Sequence, residues 1–237
     1  MATSLKEYAV GATIITHKHA LTAAHCVYPQ RSEPMRVSLY GGSTSAVTGG
    51  VLFSVVRIAV HPGYDHSYFP DASEYDVAVL TVANNAFSGK SNMASLILQT
   101  SEQPIGTRCF VAGWGRTGNN EPASLNQLRY AEMTIVDQST CARAWATYPR
   151  QRVTSKKVNL NGEQYCLYIN CDCMICAKYG NGVDTCKGDS GGALVCGGGL
   201  AGVVSFTNLE CTSAWPAGFS KISAPSIRRF ISTEAGI

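Results

Sequence analysis

A serine hydroxyl attacks a carbonyl only when a base takes its proton and hydrogen-bond donors wait for the oxyanion that forms. The run Gly188-Asp189-Ser190-Gly191-Gly192-Ala193, just behind Cys186, sets a serine among residues that can supply such donors from the backbone. Five specified positions (GDSGG), each at a frequency of roughly 5–7%, recur by chance about once per 10^6 positions. Glycine at 188 lets its N–H, with that of Ser190, approach an oxyanion with no Cβ in the way. Ser190 is therefore the candidate nucleophile, and Gly188 and Ser190 the candidate oxyanion donors. The chemistry then demands a histidine base and a buried carboxylate to orient it. Leu21-Thr22-Ala23-Ala24-His25-Cys26 ends an apolar, strand-like run in a histidine, and Asp76-Val77-Ala78-Val79-Leu80 opens another with an aspartate. Singly, His25 reads as a buried structural histidine, Asp76 as a strand cap and the glycine-rich run as a turn. Together, in the order His, Asp, Ser, they read as an acyl-transfer triad whose activity rises as His25 deprotonates, near an unperturbed value of about 6.5.

Residues from three distant segments can meet only on a scaffold that folds them together. Short β-branched or alternating runs recur between turn signals at 37–40, 51–60, 77–82, 108–112, 128–136, 193–196, 200–206 and 217–222. That cadence, with 23 glycines, predicts an all-β architecture of barrels. Two helices are expected, one over 138–147 capped by Asp137 or Ser139, the other over 225–233 with Pro225 in its first turn and Ser223 as cap. The net charge of +3 is spread out, with Lys156-Lys157 and Arg228-Arg229 the adjacent basic pairs, which argues against nucleic acid or a membrane surface as partner. No apolar stretch reaches the length of a spanning helix, and residues 1–30 show no secretory leader. Ten cysteines in 237 residues nevertheless fit an oxidising compartment, so the protein is expected to be secreted.

With Leu21–Cys26, His61-Pro62-Gly63-Tyr64, Asp76–Leu80, Gly113-Trp114-Gly115, Met174–Ala177, Cys186–Cys196 and Gly202–Phe206 in order, the chain resembles the trypsin/chymotrypsin superfamily of serine endopeptidases over nearly all its length. The resemblance implies two six-stranded antiparallel β-barrels and a C-terminal helix, residues 1–100 forming the first and 101–237 the second, with the triad in the cleft between them. His25 is then the base, Asp76 the orienting carboxylate, Ser190 the nucleophile, and Ser205 the serine that hydrogen-bonds the aspartate. The family spacing implies the disulfides Cys109–Cys196, Cys141–Cys176 and Cys186–Cys211. It implies no cofactor or metal, protein or peptide substrates, proteinaceous inhibitors as partners, and a monomer.

Four departures stand out. The family's active form starts with an Ile-Val-Gly-Gly-like segment whose freed amine buries against the aspartate before the nucleophile, and 24 residues before His25 leave no room for it. The first strand and activation segment are thus expected to be missing, and Asp189, unpaired, to turn outward and take the oxyanion loop with it, as in a zymogen. The usual partner of Cys26 falls on Val10, so Cys26 is expected to be a reduced or non-standard thiol. Between Cys141 and Cys176 lie 34 residues carrying Cys166, Cys171 and Cys173, whose spacing looks superficially like a metal cluster but reads better as disulfides in a secreted chain. Finally, Asp184 matches the pocket-base aspartate of trypsin, which pairs with a substrate Lys or Arg, while Thr207 and Ala217 stand where trypsin keeps glycine and narrow the slot. The loop over 40–56, which binds calcium in some relatives, holds no Asp or Glu, so no calcium site is expected there. The reading is a secreted, weakly trypsin-like serine endopeptidase; its rivals are a non-catalytic homologue acting as a binding or regulatory module and an esterase on the same fold.

Overall fold

The computed structural model describes residues 2–5, 8–68, 74–118, 120–147, 172–180, 184–208 and 210–237. Two antiparallel sheets carry it. The first comprises β1 (Ala2–Leu5), β2 (Tyr8–Gly11), β3 (Thr13–Ile14), β4 (His19–Thr22), β5 (Ser38–Gly41), β6 (Val51–Val60) and β7 (Ala78–Val82), in the order β2-β1-β5-β6-β7-β4-β3. Its end strands β2 and β3 are separated by Ala12 alone, so the sheet curls back on itself as a half-barrel, in keeping with the two-barrel architecture expected from the sequence. Ala2–Leu5 supplies a strand at the very start, where a missing first strand was expected: it pairs with both β2 and β5 and so covers an edge of β5 that would otherwise lack a neighbour.

The second sheet is a closed six-stranded barrel: β8 (Arg108–Gly113), β9 (Arg129–Val136), β10 (Met174–Lys178), β11 (Ala193–Cys196), β12 (Gly199–Phe206) and β13 (Ala217–Lys221), ordered β10-β13-β12-β11-β8-β9. Along β9 the pattern alternates, with Ala131, Met133 and Ile135 buried and Tyr130, Glu132 and Thr134 exposed, the signature of a strand with one face on a core. Leu194, Val204, Phe219 and Ile175 fill the barrel around them.

The short helix α1 (Ala24–Val27) follows β4 directly. The helix α2 (Gln138–Ala146) is capped by Asp137, whose Oδ1 accepts from the N–H groups of Ser139 and Thr140 at 2.9 and 3.1 Å. The C-terminal α3 (Pro225–Ala235) starts on Pro225, but its N-cap is Ala224, with no side-chain cap; Ser223 does not serve. Pro225 lacks an N–H to satisfy and its fixed φ suits the first helical position, so the helix starts without a capping hydroxyl. Fully buried Ile227 and Ile231 press α3 into the core of the first sheet, and Arg57 pairs with Glu234 on its rim. The second unit thus ends by bracing the first.

Candidate active site

Antiparallel pairing of β4 with β7 sets Thr22 opposite Ala78, so the chain leaving β4 and the chain entering β7 lie side by side. His25, three residues past Thr22, therefore meets Asp76, two before Ala78. The Nδ1 of His25 lies 2.7 Å from Asp76 Oδ2, and the backbone N–H of His25 donates to Oδ1 at 2.8 Å. Ser205 donates to Oδ2 at 2.6 Å, joining the second barrel to the pair. Ser220, which sequence reasoning did not single out, donates to the Asp76 carbonyl at 2.8 Å; a lone serine on β13 carries no motif that would reveal it.

Asp76 is 2% exposed. Burial alone would raise its carboxyl, but the facing His25 charge and the bonds from His25 and Ser205 hold it below the ordinary carboxylate value. For His25 burial pulls the imidazole down, and the Asp76 carboxylate, with Cys26 adding to it, overrides that and holds it well above 6.5. The unperturbed value expected from the sequence is thereby corrected upward: a carboxylate in a dry site stabilises the imidazolium more than desolvation penalises it.

Ser190 sits half-buried at a junction of the two sheets. The N–H of Gly11 in β2 donates to its carbonyl at 2.6 Å, and Thr22 Oγ1 in turn donates to the Gly11 carbonyl at 2.8 Å. Gly191 (φ +79°) and Gly188 (φ +103°) adopt backbone conformations that glycine alone takes without strain, and a Cβ on Gly191 would collide with Thr22 Oγ1 and the Gly11 carbonyl. The N–H groups of Gly188 and Ser190 donate to no protein acceptor among the described residues. Two unused donors beside a serine are what an oxyanion requires. Asp189 does not turn outward as expected. Its Oδ1 accepts from the Gly115 N–H at 2.9 Å and its Oδ2 from the Cys186 N–H at 3.0 Å, so two neutral amides offset the desolvation that an unpaired carboxylate suffers. Burial still raises the Asp189 carboxyl against those two bonds.

At the pocket, Asp184 is buried, with Oδ1 accepting from the Thr185 N–H at 2.7 Å. Burial pushes its carboxyl up to about 7, against the Thr185 N–H and hydroxyl and with Asp189 adding to the rise. Thr207 Oγ1 donates to the Thr185 carbonyl at 3.0 Å, so the two walls are joined by a hydrogen bond; Thr185, adjacent to Asp184 in sequence, is the lining residue the sequence reading passed over. Ala217 is fully buried. Behind this wall, Trp145 of α2 donates to the Pro216 carbonyl at 2.8 Å and meets the Phe206 ring edge-on at 5.1 Å. Positions 181–183 and 209 lie outside the described residues.

Disulfides join Cys109 to Cys196, Cys141 to Cys176 and Cys186 to Cys211, and Cys173 is also disulfide-bonded. Cys166 and Cys171, with most of the insertion between Cys141 and Cys176, lie outside the described residues. Cys26 is a free, buried thiol with Sγ 3.4 Å from His25 Nε2. The substitution Val10→Cys is expected to restore a bridge closing a loop of about 17 residues, raising stability by roughly 3 kcal/mol in denaturant titration; an unchanged midpoint with a free thiol still at Cys26 counts against it. Among the described residues no three His, Cys, Asp or Glu side chains gather as a metal cage, and no helix is long and apolar enough to cross a membrane.

The family model described as Trypsin matches residues 1–231. Trypsin delta of Drosophila melanogaster is 30% identical over 217 residues, covering 92% of this chain and 76% of that protein. A trypsin of Simulium vittatum is 34% identical over 200 residues, 83% of this chain and 69% of that one. Among solved structures, neuropsin, a serine protease expressed in the limbic system of mouse brain, superimposes with a TM-score of 0.75 at 27% identity, over 99% of this chain and 92% of that one.

Proposed function

The chain belongs to the trypsin family of serine proteases, and from that premise we propose that it is a catalytically competent serine endopeptidase acting through an acyl-enzyme. The observation that carries this reading is the Asp76–His25 pair at 2.7 Å, buttressed by Ser205, standing with the unused donors of Gly188 and Ser190. Ser190 Oγ attacks the scissile carbonyl, and His25, held by Asp76 through Nδ1, takes the proton at Nε2. The oxyanion accepts from Gly188 and Ser190, and His25 then protonates the leaving amine; water repeats the cycle on the ester. The fold division at residues 100 and 101, a monomeric state and inhibition by proteinaceous inhibitors go with this reading. Secretion is supported by the disulfides and by the trypsins it resembles. A zymogen-like resting state rests on Asp189 having only two neutral donors and no ion pair among the described residues, although its carboxylate is held inward rather than turned out.

Specificity is proposed to be weakly trypsin-like. Asp184 offers a cationic side chain a charge-assisted bond once ionised. Two features oppose it: the Thr207–Thr185 bond narrows the slot, and a carboxyl near 7 is only partly ionised at neutral pH. Cleavage after Lys or Arg should accordingly strengthen as pH rises through about 7, the direction in which Asp184 loses its proton. Thr207→Gly should raise kcat/KM on arginyl peptides roughly tenfold or more, and Asp184→Ser should abolish the basic preference. Peptide-library profiling that shows a dominant preference for Ala or Val, unmoved by Asp184→Ser, would replace this assignment with an elastase-like one.

A further inference from the structure

The motif His61-Pro62-Gly63-Tyr64 takes no part in the acyl-transfer steps, yet its histidine packs on the residue that precedes the triad carboxylate. That residue, Tyr75, has φ +56°, a left-handed conformation that a bulky side chain adopts only under outside constraint. Its carbonyl accepts from the Val77 N–H at 2.7 Å, so the chain bends tightly with Asp76 at the apex. His61 holds that bend at both ends. Its backbone N–H donates to the Val77 carbonyl at 3.1 Å, and its imidazole stacks on the Tyr75 ring with centroids 4.7 Å apart and planes 7° from parallel. A Cβ on Gly63 would come within 2.7 Å of the same ring, so glycine at that position leaves the ring its place.

The imidazole is itself fixed in orientation. Its Nδ1 lies 3.0 Å from the Gly63 N–H, which can only donate, so the ring proton sits on Nε2 and is given to Ser226 Oγ at 3.0 Å. Phe230, one turn further along α3, meets the ring edge-on at 5.0 Å. His61 is 4% exposed, and burial holds its imidazole below 6.5 against the contact with Ser226, which keeps it in the neutral form that both bonds require. The left-handed backbone at Tyr75 costs free energy of the order that one aromatic stack supplies, so the bend persists while the ring is held. We propose that His61 is a positioning residue for the triad: its stack on Tyr75 holds the turn that presents the Asp76 carboxylate to His25, and ties that turn to α3. The consequence for rate rests on the proposed catalysis, but the placement is read from His25 whether or not peptides are cleaved.

Three variants test it. His61→Gln keeps a donor for Ser226 and loses the ring, Tyr75→Leu removes the other half of the stack, and Tyr75→Phe retains it. The titration of the His25 imidazole is followed by 1H–15N NMR on the folded protein, with kcat, KM and melting temperature beside it. His61→Gln and Tyr75→Leu are each expected to move the His25 midpoint to lower pH, since the Asp76 carboxylate is what raises it, and to lower kcat about tenfold with KM unchanged. Their combination should do no more than either alone, because both remove one contact, and Tyr75→Phe should match the parent. A merely structural role would lower the melting temperature and leave the His25 midpoint in place. Midpoints unmoved in both single variants, effects that add in the double variant, or a Tyr75→Phe protein that behaves as Tyr75→Leu overturns the proposal. Tyr75 is half-buried, so its two variants decide even if His61→Gln folds poorly. Midpoints that move as expected in a protein that hydrolyses nothing uphold the placement and defeat the catalytic reading alone.

Discussion

Replacing Ser190 by alanine should lower peptide turnover by about 10^4–10^6-fold while leaving the fold in place, because triad members act as a unit and the residual rate comes from the oxyanion donors and binding alone. The side chain is half-buried and the loop around it is pinned through backbone groups, Gly11 to the Ser190 carbonyl and Gly191 to Val204, so removing the hydroxyl disturbs none of the bonds that shape the site. Steady-state hydrolysis of a peptide amide, with the melting temperature as control, checks it. Turnover within tenfold of the parent, with an unchanged melt, removes Ser190 from the mechanism.

Asp76→Asn should cost about 10^4 in kcat, since the amide can present a donor where His25 needs an acceptor and so fixes the wrong tautomer. The pH profile separates this from a packing effect. In the parent, the base is active when neutral, and the Asp76 carboxylate holds the imidazole well above 6.5; the acid limb of kcat/KM should therefore rise with an apparent value above that. Without the carboxylate, burial is the largest remaining influence on His25 and lowers it, so the limb should move to lower pH in the variant. An acid limb that stays in place after Asp76→Asn shows that His25 is not the titrating base.

Much of this site was legible because its parts are local motifs. A serine among glycines, a histidine after an apolar strand and an aspartate before another can each be read from a handful of neighbours, and their order supplied the rest. The pairings Cys109–Cys196, Cys141–Cys176 and Cys186–Cys211 followed from family spacing. What escaped depends on through-space placement. Ser220 reaches Asp76 only because β13 of the second barrel lies against the chain entering β7 of the first sheet, and the Thr207–Thr185 bond exists only because two loop segments distant in sequence converge. The fate of Asp189 was misjudged for the same reason: charge arithmetic found no cation for it, while the amides of Gly115 and Cys186, invisible to any composition argument, hold it inward. The first strand was missed because Ala2–Leu5 has no alternation to betray it and is ordered by pairing with β5.

The account rests on Ser190 being an activated nucleophile, and site-mapped labelling with a fluorophosphonate addresses that most directly. A proteolytically silent homologue and an active enzyme can share every distance in this fold, but only an activated serine takes the phosphonyl group. One adduct per chain is expected, on the peptide holding Ser190, with its rate lowered at least about 10^3-fold in His25→Ala. Labelling that is absent, or that falls on another residue with Ser190 unmodified, contradicts the catalytic assignment and leaves a binding or regulatory member of the family in its place.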